Sequence, residues 1–164
     1  MIAIHRPIAS SQRTRSRQQS EPLPAESGTY VLVVRCHAAL TVEVGQLCRM
    51  PLVRGWYLYV GSAFGPGGLA ARLHRHLRQT KRRHWHIDYL LPLLPIREIW
   101  HSSGRRDLEH CWARTILEQS EAKVPVEGFG ASDCKCRSHL AYFPTYRQVN
   151  KIHIGLSPTP DRPK

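Results

Sequence analysis

Apolar residues fall in a few short runs along this chain, and their spacing predicts its elements. Residues 28–36, GTYVLVVRC, are an almost unbroken run of strand formers, about the length of a central strand buried on both faces. TVEV at 41–44 alternates and ends at Gly45, predicting a second strand. Trp56 to Gly61 predicts a third, with aromatic and β-branched residues running into a Gly-Pro-Gly-Gly breaker. Pro51 and Gly55 bracket the connection between these two, and three strands so close in sequence predict an antiparallel meander. Leu69, Leu73 and Leu77 recur every four residues, predicting a helix from about Gly68 to Gln79 with one apolar face. HWHIDYLL at 84–91 predicts one or two helical turns, and IREIW at 96–100 a short strand. Leu108, Trp112, Ile116 and Leu117 mark a second helix over 107–120, capped by Asp107 or the preceding Ser-Ser-Gly turn. LAYF at 140–143 and KIHIG at 151–155 read as late strands. Antiparallel strands with segregated helices make the expected class α+β, a small central antiparallel sheet flanked by helices.

The ends carry no such pattern. Residues 1–27 are rich in Ser, Gln, Arg and Pro and read as a disordered basic tail. Residues 28–156 form the expected domain, and 157–164 a flexible C-terminal tail. A chain of 164 residues suffices for one domain with a real core. No apolar run is long enough to span a bilayer, and residues 1–20 lack the apolar core of a secretory signal. With five cysteines, an odd number, a disulfide framework is not expected and a reducing cytoplasmic compartment is.

Charge then changes the picture. The formal net charge is +12, which points to a polyanionic partner. Arg6, Arg13, Arg15 and Arg17 lie in the tail and say little. Arg72, Arg75, Arg78, Lys81, Arg82 and Arg83 fall within the predicted fold with no acid among them; the last five are candidate nucleic-acid contacts. Arg72 and His76, at i and i+4, share a stripe beside the leucine face. A strand delivering a tyrosine to a glycine-rich turn, followed by that arginine and histidine, is a constellation that could hold a phosphodiester.

Gly28-Thr29-Tyr30 on one strand, Tyr59-Val60-Gly61 on another, Arg72 and His76 on the next helix and Glu109 on a later one resemble the GIY-YIG nuclease superfamily. The wording YVGSAFGPGGLAARLHRHL, HWHIDYLL and GFGASDCKCRSHL is similar to its compact stand-alone branch, the Uri-type endonucleases, over about residues 28–143. The resemblance implies hydrolysis of DNA phosphodiesters, in repair or recombination, with a single Mg²⁺ or Mn²⁺ ion. It implies Tyr30 and Tyr59 as the two motif tyrosines, Arg72 as the helix arginine, His76 where some members place a histidine or tyrosine, and Glu109 as the acidic metal ligand.

The chemistry suits those types. A carboxylate offers Mg²⁺ a hard oxygen, and a forked guanidinium suits a phosphate. A free tyrosine, with a pKa of about 10, could take a proton from water only if nearby positive charge lowered that value; Tyr59 or His76 could instead orient the water or relay the proton. Three departures stand out. Thr29 replaces the usual isoleucine, the TVEV strand lengthens the gap between the tyrosines, and the superfamily's late asparagine has no match, with Ser132 or Asp133 in that region.

Taken singly, these are ordinary residues. Strand tyrosines usually pack, Arg72 alone is a solvated helix charge, and an early-helix acid such as Glu109 favours the dipole. Their occurrence in one order around one turn is what points to catalysis. A second cluster, Cys134, Cys136 and His139, could give zinc three ligands, with His84 or His86 as a fourth. Three readings therefore stand: a DNA endonuclease, a nucleic-acid-binding domain without turnover, and an interaction module organised by zinc. Substrate structure, DNA against RNA, and oligomeric state are open.

Overall fold

The computed structural model describes residues 2–7 and 22–156. Its strands are β1 (Ala3–His5), β2 (Gly28–Cys36), β3 (Leu40–Val44), β4 (Cys48–Leu52), β5 (Gly55–Ala63), β6 (Ile96–Ser103) and β7 (Leu140–Phe143). The helices are α1 (Gly68–Leu77), α2 (Leu108–Leu117) and α3 (Tyr146–Leu156), with a single 3₁₀ turn at His86–Tyr89. Five strands form one antiparallel sheet in the order β1-β6-β2-β5-β7, and β3 and β4 form a separate hairpin. The class is α+β, as the sequence predicts. Among the described residues no helix is long and apolar enough to cross a membrane.

β2 lies in the middle, paired along its length with β5 and β6. Its alternate residues enter two different cores. Tyr30, Leu32 and Val34 join Tyr57 and Tyr59 of β5 against Leu69 and Leu73 of α1. Val31 and Val33 join Leu58, Val60 and the Trp112–Ile116 face of α2 on the other side. Period-two side chains on a twice-covered sheet explain why this run shows almost no polar position.

Several expectations are corrected. The strands do not form a simple meander: β2 pairs directly with β5, and the β3–β4 hairpin leaves the sheet between them. Cys48–Leu52 is a strand rather than a connection, because Met50 and Leu52 are buried while Arg49 and Pro51 face out. Pro51 sits in a two-stranded hairpin, where a missing N–H is tolerated. KIHIG belongs to a helix. Ile152 and Ile154 alternate like strand residues, yet Val149, Ile152 and Leu156 follow the helical period and are buried. Thr145 and Gln148 supply the start signal, since the Gln148 side chain accepts from the Thr145 N–H at 3.1 Å.

Part of the expected disordered tail is built into the fold. Ala3–His5 pairs with β6, and Arg6 donates to the buried Glu98 at 3.0 Å. The carbonyls of Pro24 and Glu26 accept from the N–H groups of Ala70 and Leu69 at the start of α1, satisfying donors that a helix end otherwise leaves open. The expected tail residues 8–21 and 157–164 lie outside the described residues.

Candidate functional site

Tyr30 and Tyr59 stand on neighbouring strands and point to the same side of the sheet. Tyr30 pairs across the ladder with Gly61, and its ring lies over that glycine. A Cβ at Gly61 would come 2.5 Å from the Tyr30 hydroxyl and 2.7 Å from its ring carbon. The glycine of Tyr59-Val60-Gly61 is therefore the space in which the phenol sits. Gly61→Ala should displace Tyr30 and cost about 1–3 kcal/mol; an unchanged urea midpoint would refute that account.

The Tyr30 hydroxyl is 2.8 Å from His76 Nε2, and both side chains are buried, at 1% and 2% exposure. The other ring nitrogen, Nδ1, faces Asp88 Oδ1 at 3.6 Å. A carboxylate only accepts, so the neutral ring carries its proton on Nδ1 and offers Nε2 to the phenol. Asp88 is held in turn by Arg75 (3.2 and 3.0 Å) and by the backbone N–H groups of His84 (3.0 Å) and Trp85 (3.1 Å). Burial alone would raise the Asp88 carboxyl; the facing His76 ring and the hydrogen bonds from the two backbone groups and Arg75 outweigh it and hold the group well below the usual carboxylate range.

Burial lowers His76 below its ordinary value, with Asp88 opposing. Burial likewise pushes both phenols up; at Tyr30 the Arg72 guanidinium pulls the other way. Arg72 also stacks on Trp85, 4.0 Å from the ring centroid, and Arg75 covers the same ring at 4.2 Å. Glu109 stands in the first turn of α2, with its Oε1 facing His139 Nδ1 at 3.5 Å. Burial would raise its carboxyl, but the neighbouring His139 and Ser62 side chains outweigh it and bring it below its ordinary value, so it is charged at neutral pH. Its charge acts on both Tyr30 and Tyr59. Among the five sequence-predicted residues Tyr30 and His76 touch, while the charges of Arg72 and Glu109 act on the two phenols.

The shift of His76 gives a pH dependence. Its folded value lies below an unfolded value of about 6.5, so the unfolded chain takes the proton first. Stability from this group is complete above about pH 6.5 and is lost as pH falls toward the folded value. His86 and His101 shift the same way, both through burial. The thermal midpoint should drop on going from about pH 7.5 to about pH 5.5, and His76→Gln should flatten part of that drop. A profile that rises on acidification contradicts the assignment.

Two of the expected nucleic-acid contacts point inward. Arg75 is bound to Asp88 and to the Arg82 carbonyl. Lys81 Nζ donates to the His76 carbonyl at 2.7 Å and lies 3.7 Å from Asp88. Buried Asp88 requires these cations, which removes them from the free surface. Arg78, Arg82 and Arg83 are exposed, with Arg83 over the Tyr89 ring. A cleft of about 300 Å³ opens beside Tyr59, lined also by Trp85, Gly130, Ser132 and Asp133.

The Cys/His cluster is assembled differently from the sequence expectation. Cys134, Cys136 and His139 come together with His110 of α2, their ligand atoms all within 4.8 Å of one another. Neither predicted fourth ligand takes part. His86 Nδ1 accepts from the Gly130 N–H at 2.9 Å, and His84 packs edge-on against Trp85. Two sulfurs and two imidazoles could hold a metal ion, and such a donor set suits zinc better than magnesium. Asp88, Trp85, Ser62 and His110 are the site residues that sequence reasoning missed. An acid three residues after Trp85, at the start of a predicted turn, is the one signal that could have found Asp88.

Searches of curated proteins and of solved structures returned no match. Residues 29–157, from the buried Thr29 of β2 to just beyond α3, match the family described as "Domain of unknown function DUF123", and the chain belongs to that family.

Proposed function

We propose that this protein is a divalent-metal-dependent endonuclease that hydrolyses DNA phosphodiester bonds, of the kind found in the GIY-YIG superfamily, with a role in repair or recombination. The observation that carries this reading is the line of contacts from Tyr30 through His76 to Asp88, with Arg72 beside the phenol. In it, Tyr30 takes a proton from the attacking water as its own passes to His76 Nε2. The imidazolium so formed is stabilised by Asp88, as a buried carboxylate stabilises a catalytic histidine elsewhere. This answers the difficulty of a phenol as base: its proton has a neutral acceptor in place, so the phenolate need not exist beforehand.

Arg72 is permanently charged and forked, and holds a phosphate oxygen while negative charge develops. Tyr59, which lines the cleft beside Trp85 and Gly130, orients the water. Glu109 fits a magnesium or manganese ion, being a charged carboxylate, 21% exposed, of the kind such an ion uses singly while keeping its waters. When bound, that ion supplies Lewis-acid stabilisation of the phosphoryl and leaving oxygens. Arg78, Arg82 and Arg83 provide exposed charge for the backbone on either side, and the net charge of +12 supports a polyanionic partner.

The test is incubation with supercoiled plasmid and labelled branched oligonucleotides in Mg²⁺ or Mn²⁺. Nicking or cutting by the parent, lost in Arg72→Ala and Glu109→Ala, is the expected result. The burial of Tyr30 and Tyr59, at 1% and 5% exposure, favours a second reading as a nucleic-acid-binding domain without turnover. That reading requires salt-sensitive DNA retention and no product with either ion.

A further inference from the structure

We infer that His110 Nδ1, Cys134 Sγ, Cys136 Sγ and His139 Nε2 are the four ligands of a structural zinc ion, and that this ion orients Glu109 through His139. The four donor atoms lie within 4.8 Å of each other. Within the cluster His110 Nδ1 lies 3.3 Å from Cys136 Sγ and His139 Nε2 lies 3.4 Å from Cys134 Sγ. A tetrahedron with bonds of about 2.0–2.3 Å has edges of about 3.3–3.8 Å, so small adjustments would seat the ion. Two sulfurs and two nitrogens complete its coordination, which makes the site structural rather than catalytic. A cleft of about 620 Å³, lined by His110, Arg114, Cys134 and Cys136, gives the ion a route in from solvent.

The second observation concerns the far side of His139. Its Nδ1 is buried with no hydrogen-bond partner, and it faces Glu109 Oε1 at 3.5 Å. With Nε2 on the metal, the proton must sit on Nδ1, pointing at the carboxylate. Carboxylate–histidine–metal relays of this form fix the tautomer and the ring orientation. They work in both directions, so the carboxylate is positioned as well. The ion would also tie the irregular stretch before β7 to α2, at the point where the His139 carbonyl accepts from the Val60 N–H next to Tyr59. The role of Glu109 as the positioned acid rests on the proposed endonuclease reading; the zinc site does not.

The experiment uses the full chain under reducing conditions. Elemental analysis should give about one zinc per chain. After chelation, Co²⁺ should restore thiolate-to-metal charge transfer and the intense visible bands of a tetrahedral site. Cys136→Ser should weaken the charge-transfer signature, by removing one of two thiolates, or abolish the stoichiometric binding. His110→Ala, at an exposed helix position that leaves the core untouched, guards against a variant that merely fails to fold and should lower zinc affinity sharply. Glu109→Gln should keep the cobalt spectrum but weaken affinity about 10–100-fold. A parent that takes up neither metal, or a His110→Ala chain that binds as tightly as the parent, overturns the site. Unchanged affinity in Glu109→Gln overturns the coupling. None of these readouts depends on DNA cleavage, so a failed zinc site and a failed nuclease assay are distinguishable.

Discussion

Arg72→Ala is expected to slow phosphodiester cleavage by a factor on the order of 10²–10³, while costing only about 0.5–1 kcal/mol of stability. The two effects separate because the side chain has two different environments. In the free protein its main packing partner is the face of Trp85, and a cation–π contact at a half-exposed site is weak. In the proposed transition state it would meet charge that accumulates on non-bridging oxygens, where a preorganised donor counts for far more. Arg72→Lys keeps the charge and loses the fork, so its rate should lie between the two. Single-turnover rates with Mn²⁺, alongside urea denaturation of the same preparations, make the comparison. Equal rates for parent and alanine variant would mean a contaminating nuclease or a site in another place. A proportional loss of rate and stability would mean that Arg72 acts through folding alone.

Asp88→Ala should be the most damaging single change to the fold, costing about 3–5 kcal/mol. The carboxylate is 1% exposed and faces Arg75, Lys81, two backbone N–H groups and His76. Truncation strands two cations and two backbone donors around a buried position. Against a total stability of about 5–15 kcal/mol, that is about a fifth or more of what holds the chain folded. Asp88→Asn keeps the shape and part of the hydrogen bonding and should cost less, yet it removes the charge that would stabilise a protonated His76. Cleavage should therefore fall in Asp88→Asn by more than its stability does.

Acid adds an independent check on the same residue. Because the folded-state carboxyl lies below its unfolded value of about 3.9, its contribution is complete above that pH and is lost as pH falls further. Asp88→Asn should flatten the stability curve below about pH 4. Urea midpoints for Asp88→Ala within experimental error of the parent would show that this buried network is dispensable.

The local periods along the chain determined most of the elements. Leu69 and Leu73, four apart, mark α1, and the apolar run at 28–36 has the length and residue types of a strand covered on both sides. Local pattern failed where two periods overlapped. Ile152 and Ile154 alternate like a strand inside the helical stripe of Val149, Ile152 and Leu156, and Pro51 masked the alternation of Met50 and Leu52. The residue types of the candidate site were also legible in order, because Tyr30, Tyr59, Arg72, His76 and Glu109 each sit in an element whose kind can be read nearby.

Partnership was not legible, because it depends on which distant segments the sheet order β1-β6-β2-β5-β7 brings side by side. Nothing near Arg75 or Lys81 in sequence shows that they turn inward to Asp88 rather than outward to a phosphate. Nothing near Cys134 shows that His110, rather than His84 or His86, completes the Cys/His cluster. The sequence by itself set the periods, and with them the strands, helices and available chemistry. The tertiary structure alone decided which charges are buried against each other, because a side chain's energy depends on neighbours that the chain supplies from far along its length.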